Sequence, residues 1–107
     1  MSFNIIPTPP FEKELKQLVK KHPSVKKDLA ILISRLLTEP KMGIPLGNDC
    51  YKIRMAISSK GKGKSGGARI ITFVQVIETN IFLLSIYDKA DAANISDREL
   101  KERLKKL

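Results

Sequence analysis

Tyr51 to Phe73 reads YKIRMAISSKGKGKSGGARIITF, two runs of strand character on either side of a basic glycine loop. Tyr51, Ile53, Met55 and Ile57 alternate with Lys52, Arg54 and Ala56. Side chains along a strand point to opposite faces in turn, so the apolar set shares one face and both cations share the other. From Lys52 to Arg69 the chain carries Lys52, Arg54, Lys60, Lys62, Lys64 and Arg69, and no acidic residue lies between Asp49 and Glu78. Such a surface suits a polyanion.

Downstream, Ala68 to Ile77 is apolar or β-branched apart from Arg69 and Gln75, which predicts a central strand. Glu78, Thr79 and Asn80 form a short turn into a third strand, Asn80 to Tyr87, giving a meander of antiparallel neighbours. Ser96 and Glu99 make a capping box ahead of Leu100, Leu104 and Leu107, a short last helix whose stripe either the domain body or a partner can hold.

Upstream, Pro40 to Asn48 is rich in proline and glycine and aperiodic, and reads as a connector. Before it, Thr8 and Ser24 stand as caps of two amphipathic helices, one striped by Phe11, Leu15, Leu18, Val19 and His22, the other by Val25, Leu29, Leu32, Ile33, Leu36 and Leu37. The break at His22 and Pro23 makes them an antiparallel hairpin, and Ser2 to Ile6 is a short strand candidate. Helices and strands are segregated along the chain. The expected fold is α+β, an antiparallel β-sheet with an N-terminal helical hairpin packed on one face and a short C-terminal helix.

A chain of 107 residues fits one domain, residues 1–107. Hydrophobic residues make up 42% of it, enough for a packed core, and the net charge of +9 points to nucleic acid, a ribosome or an acidic protein as partner. One cysteine, Cys50, and one histidine, His22, exclude an internal disulfide and metal sites built from several such ligands. The start, MSFNIIPTPP, has no basic stretch ahead of an apolar segment of signal-peptide length, and no apolar run approaches the length of a membrane-spanning helix, so the expected setting is the cytoplasm, with no membrane partner.

Gly63-Lys64-Ser65 suggests a nucleotide-binding loop, but that motif needs a glycine where Ser58 stands and a helix where a strand follows. The loop Lys60 to Gly67 therefore reads either as a solvated hairpin connection or as a phosphate contact through Lys60, Lys62 and Lys64. Arg69 interrupts an apolar strand, where an arginine needs an anion or carboxylate to pair with. Tyr87, at its strand end, reads either as a base-stacking ring or as a half-buried edge residue with a wet hydroxyl. Cys50 reads as buried and unreactive.

YKIRMA, KGKGKSGGARII, IFLLSIYDK and the following NIS before a charged helix resemble the HigB branch of the RelE-like toxins of prokaryotic toxin–antitoxin operons. The resemblance runs from about Asp49 to Ser96. It implies a ribosome-dependent endoribonuclease that cleaves mRNA in the ribosomal A site, blocks translation and is neutralised by a cognate antitoxin. It places the family's catalytic cations on Lys52, Arg54, Arg69 and Lys89; the candidate RNA contacts, Lys60, Lys62, Lys64 and Tyr87, come from the reading of the residues themselves. No metal and no cofactor is implied. Many members have a tyrosine after the last basic residue; Ala90 to Ser96 has none, which leaves Tyr87 as the substitute.

RNA self-cleavage needs the 2′-OH deprotonated, the phosphorane charge stabilised and the 5′-oxygen protonated. Arginines suit the middle task, so Arg54 and Arg69 are assigned to the scissile phosphate. Lys52, with two arginines as neighbours, is the candidate base, and Lys89 either protonates the leaving oxygen or holds phosphate. Two other readings use the same scaffold: a ParE-like inhibitor of DNA gyrase, and a non-catalytic RNA- or ribosome-binding module. Convergence of the cations on one sheet face separates the nuclease from the gyrase inhibitor.

Overall fold

The structure, a computed structural model, describes residues 2–61, 63–92 and 94–107. Lys62, one of the expected RNA contacts, lies outside the described residues.

Pro9 and Pro10 open helix α1 (Pro9–Lys21), in the first turn, where a missing amide hydrogen loses no helical bond. Phe11, Leu15, Leu18 and Val19 form its inward stripe, and α2 (Val25–Thr38) adds Val25, Leu29, Leu32 and Leu36. The expected caps act differently. Thr8 turns its hydroxyl away from the helix and donates to the Leu83 carbonyl at 2.8 Å. Ser24 already has helical dihedrals, and its hydroxyl bonds Asp28 and Ser59 instead of a helix amide.

The sheet has the order β1-β5-β4-β3-β2. Its centre is the expected meander of β3 (Cys50–Met55), β4 (Ala68–Gln75) and β5 (Asn80–Asp88), all antiparallel. On one edge β1 (Asn4–Pro7) runs parallel to β5. On the other, β2 (Ile44–Gly47) pairs antiparallel with β3. β2 falls inside the stretch read as a connector, and the reason is physical: all its residues are exposed, so no core selects an apolar alternation there. Gly43, at φ +103°, brings the chain against β3 where a side chain would strike the Lys52 carbonyl oxygen.

The sheet has two covered faces. The helical hairpin lies on one, over Ile53, Met55, Ile70, Val74, Ile81, Leu83 and Ile86. Side chains such as Ile70, Ile81 and Leu83, with no exposure at all, each contribute about 1.5–3 kcal/mol by leaving water. On the other face sits α3 (Asp97–Lys105), capped by Ser96, whose Oγ accepts from the Glu99 amide at 3.1 Å. Leu100 and Leu104 pack with Cys50, Ile71 and Leu84. The last helix is thus held by the body of the protein, over part of the face that carries the cations.

A β-bulge decides which residues share that face. Ile71 faces Ser85 and Thr72 faces Leu83, so Leu84 is an extra residue in β5. Before the bulge Ile81 and Leu83 face the hairpin, and after it Ile86 does. Tyr87 is thereby turned to the opposite face, the one that carries Arg69.

Candidate active site

β3 and β4 pair so that Arg54 lies directly opposite Arg69, and β4 and β5 pair so that Arg69 lies opposite Tyr87. One step along, Lys52 faces Ile71 and Ile71 faces Ser85. Beyond β5 the Lys89 amide donates to the Gly67 carbonyl at 3.0 Å, so the ladder runs one step further than the strand. Lys52, Arg54, Arg69 and Lys89 thus gather at one end of the sheet, brought there by three strands. Directly opposed positions hold their Cβ atoms about 4.5–5.5 Å apart. Two arginines so placed repel each other unless an anion lies between or above them.

Their surroundings differ. Arg54 is exposed, and among the described residues nothing accepts a hydrogen bond from its guanidinium. Arg69 is only 3% exposed, and its guanidinium donates to the carbonyls of Lys64 at 2.9 Å, Ala68 at 3.1 Å and Ser65 at 3.3 Å. Its cation therefore holds the glycine loop in place, a role that the sequence reading, which reserved it for an external anion, did not include. Lys52 is half-buried and its Nζ donates to Asn94 Oδ1 at 2.7 Å, under the segment that leads into α3. Leu46, Lys52, Asn94, Ile95, Asp97 and Leu100 line a shallow cleft there. Lys89 is exposed and borders a smaller cleft with Lys60, Gly66 and Ala90.

The loop between β3 and β4 is held in two short 3-10 turns, Ser58–Lys60 and Lys64–Gly66. Gly67 closes it, because a Cβ there would collide with the Met55 carbonyl oxygen. Lys64 is exposed. Lys60, an expected RNA contact, is engaged within the protein: its ammonium lies 3.0 Å from both carboxylate oxygens of Asp88, with its side chain 15% exposed. Asp88, 5% exposed, also accepts from the Ala90 amide at 2.9 Å and lies 3.4 Å from His22 Nε2. Burial works against its charge, yet the Ala90 amide, Lys60 and His22 together hold its carboxyl below the usual value.

Tyr87 is half-buried near its strand end, but its hydroxyl is not the wet one expected. Its ring packs against the minor core of Cys50, Ile71, Leu84 and Leu100, and its hydroxyl is buried with no hydrogen-bond partner. Burial pushes the phenol up, against the pull of Arg69 and of the Ile95 backbone, which lies nearby but outside hydrogen-bond geometry. Cys50 is buried, and burial with Asp49 beside it pushes the thiol up to about 11. It is inert, as expected.

Residues that sequence reasoning passed over are Asp88, Asn94 and Asp28. Asp88 had one signal, an acid closing an apolar strand. Asn94 stands in the NIS stretch, but nothing there pointed to Lys52, because their contact spans 42 positions.

The model of the RelE toxin of the RelE/RelB toxin–antitoxin system matches residues 11–107. The chain belongs to the RelE toxin family. It is accordingly the toxin of a type II toxin–antitoxin system. The structure is similar to the isolated E. coli RelE toxin, at 20% identity and a TM-score of 0.61, with all of both chains covered. It is similar too to a double arginine-to-alanine mutant of E. coli RelE in the free state, at 17% identity and a TM-score of 0.65 over 100% of this chain and 99% of that one. At such identity the likeness shows the shared RelE fold: a mostly antiparallel sheet, a helical hairpin and a C-terminal helix. No helix of the described residues is long and apolar enough to cross a membrane.

Proposed function

We propose that this RelE-family toxin is an endoribonuclease of the HigB branch that cuts mRNA held on the translating ribosome in the cytoplasm, without a catalytic metal. The observation that carries the reading is the direct opposition of Arg54 and Arg69, with Lys52 one step away on the same face and Lys89 at the end of the neighbouring strand. A gyrase inhibitor has no need for cations gathered in this way.

Arg54 is the group that can meet a phosphate directly, and it takes the charge that builds on the scissile phosphorane. Arg69 holds the loop that flanks the phosphate and adds positive potential from below. Released from Asn94 and having given up a proton to solvent, Lys52 as the neutral amine takes the 2′-OH proton, and Lys89, an ammonium exposed beside the loop, gives a proton to the 5′-oxygen. Lys64 steers the strand. None of these groups is an efficient proton acceptor near neutral pH, so positioning must supply much of the rate, and alignment of a reacting pair can be worth about 7–11 kcal/mol. A ribosome that fixes the mRNA in line supplies it.

The cognate antitoxin is expected to be acidic where it meets the cationic face or the α3 segment, and its complex is expected to weaken with salt. The deciding experiment maps mRNA 5′ ends after induced expression, beside an in vitro comparison with and without translating ribosomes. Cuts at translated codons that appear only with ribosomes are expected. Rapid cleavage of naked mRNA by the pure protein would overturn the ribosome-dependent mechanism, and no cleavage in either setting would overturn the nuclease.

A further inference from the structure

Asp88 ends β5 beside Lys89, and the proposed mechanism gives it no part. It is 5% exposed, yet it meets three separate segments of the chain. Lys60, in the first turn of the basic loop, lies 3.0 Å from both carboxylate oxygens. His22, at the C-terminal cap of α1, lies 3.4 Å from Oδ2. The Ala90 amide donates to Oδ1 at 2.9 Å, the bond of an Asx-turn.

The backbone of Asp88 holds the same turn. Its carbonyl accepts from the Asp91 amide at 3.0 Å and from the Ala92 amide at 3.2 Å. Lys89 lies inside this turn, and its own amide donates to the Gly67 carbonyl at 3.0 Å. The Lys89 backbone is therefore fixed from both sides, by the turn that Asp88 builds and by the end of the loop.

The loop is fixed in the same region. The Ser58 amide donates to Asp28 and the Ser59 amide to Ser24, each at 2.9 Å, so with Lys60 on Asp88 every residue of that short turn is tied down. Lys60, Gly66, Lys89 and Ala90 border a cleft of about 220 Å³, large enough for a phosphate group. With Lys60 neutralised by Asp88, Lys89 is the cation of that cleft left facing solvent. Without its counter-charge the Lys60 ammonium, a mobile point charge, would compete with Lys89 for the same anion.

We propose that Asp88 is a positioning residue of the cleavage reaction: it holds Lys89 at the edge of the loop and keeps Lys60 turned away from the phosphate that Lys89 serves. What Lys89 does there rests on the proposed function; the clamp around its backbone does not. Asp88 acts through Lys89 and not on the RNA, because a buried carboxylate beside a phosphate would repel it. Placement of this kind is demanding, since a shift of about 1 Å in a reacting group can cost about 100-fold in rate.

Asp88→Asn keeps an oxygen for the Ala90 amide and removes the charge that holds Lys60 and His22. On ribosome-bound mRNA it is expected to lower kcat about 10- to 100-fold while KM stays within about twofold. In a Lys89→Met background the same substitution is expected to lower kcat by less than about threefold, because both changes act on one proton transfer. Lys60→Arg retains the ion pair and is expected to stay within about twofold of the parent. Lys60→Gln leaves Asp88 its Ala90 bond, and so keeps the test should Asp88→Asn misfold; a loss of about three- to tenfold is expected, again absent when Lys89 is Met. Amide exchange gives a reading without RNA: in Asp88→Asn the Lys89 amide is expected to exchange at least about tenfold faster, beyond any change at Ile70 in the middle of β4. Parental kcat in a folded Asp88→Asn protein would overturn the proposal, as would a loss undiminished in the Lys89→Met background or a raised KM at unchanged kcat. Exchange at Lys89 that only follows Ile70 would overturn the clamp itself. A parent that cuts no RNA in any setting would remove the nuclease reading alone, and the Lys89 amide would still decide whether Asp88 holds it.

Discussion

Arg103 of α3 meets Glu14 of α1 around the edge of the sheet, Nη1 to Oε1 at 2.8 Å and Nη2 to Oε2 at 2.9 Å, although the two helices lie on opposite faces. β1 ends opposite Leu83, so the outer edge of β5 beyond it has no strand partner, and this is where the bulge lies. Arg103 Nη1 donates to the Leu84 carbonyl at 2.7 Å, and the Ile86 amide donates to Glu14 Oε1 at 3.3 Å. The ion pair thus replaces a missing strand at the point where β5 changes the direction of its side chains. Its hydrogen bonds to Glu14, against the effect of burial, raise Arg103 above its usual value and keep it charged.

Arg103→Ala is therefore expected to destabilise the protein by about 2 kcal/mol, as loss of charged hydrogen bonds in a partly buried setting does. At this size the melting temperature would fall by roughly 8–12 °C. Amide exchange should accelerate across α3 and around Leu84 to Ile86 together. Faster exchange in α3 alone would show that the pair does not support the bulge.

Arg54 and Arg69 are expected to separate activity from stability. Arg54→Ala should abolish growth arrest, with a loss of about 100- to 1000-fold in the cleavage rate. It should leave stability within about 0.5 kcal/mol, because the side chain is exposed. Arg69→Ala should also remove toxicity but cost about 1–3 kcal/mol, since the carbonyls of Lys64 and Ser65 lose their donor. Urea melts beside growth curves test both. An arginine serving only an external phosphate would leave the fold untouched when removed, which does not suit a side chain buried to this extent.

Asp88→Asn should cost about 3 kcal/mol at neutral pH, because the Lys60 ammonium loses its counter-charge in a mostly buried position. The pH dependence has a definite sign. Folding holds the Asp88 carboxyl below its ordinary 3.8, so its stabilisation is complete above that value and disappears as pH falls through the lower folded-state value. Asp28 behaves alike, its own burial outweighed by bonds from Ser58 and Ser24. Melting curves of the parent and Asp88→Asn proteins should therefore converge in acid and diverge above about pH 4. A gap that stays constant down to the lowest pH would exclude this electrostatic account.

Gly67→Ala should destabilise by about 1–3 kcal/mol or more, since the added methyl meets backbone and not a movable side chain. The strands should separate at the Met55 and Ala68 end. Toxicity is expected to fall with stability, and a fully stable, inactive Gly67→Ala protein would assign the glycine to substrate approach.

The helices and the meander were legible in the sequence because each is a local pattern under burial, and the basic loop because its lysines and glycines adjoin in the chain. Helical stripes at Phe11, Leu15 and Leu18, or alternation at Tyr51, Ile53 and Met55, arise wherever one side of an element meets a core. Where burial is absent the signal is absent too, which is why exposed β2 read as a connector. The cations of the site were identifiable by type and by strand position. Their states were not, since a side chain's partner is selected in space: Arg69 turns to the loop carbonyls, Lys60 to Asp88 and Lys52 to Asn94. The bulge at Leu84 shows the difference most sharply. Strict alternation from Leu83 would place Tyr87 against the hairpin, and one extra residue, supported by Glu14 and Arg103 from distant parts of the chain, turns it to the face of Arg69 instead.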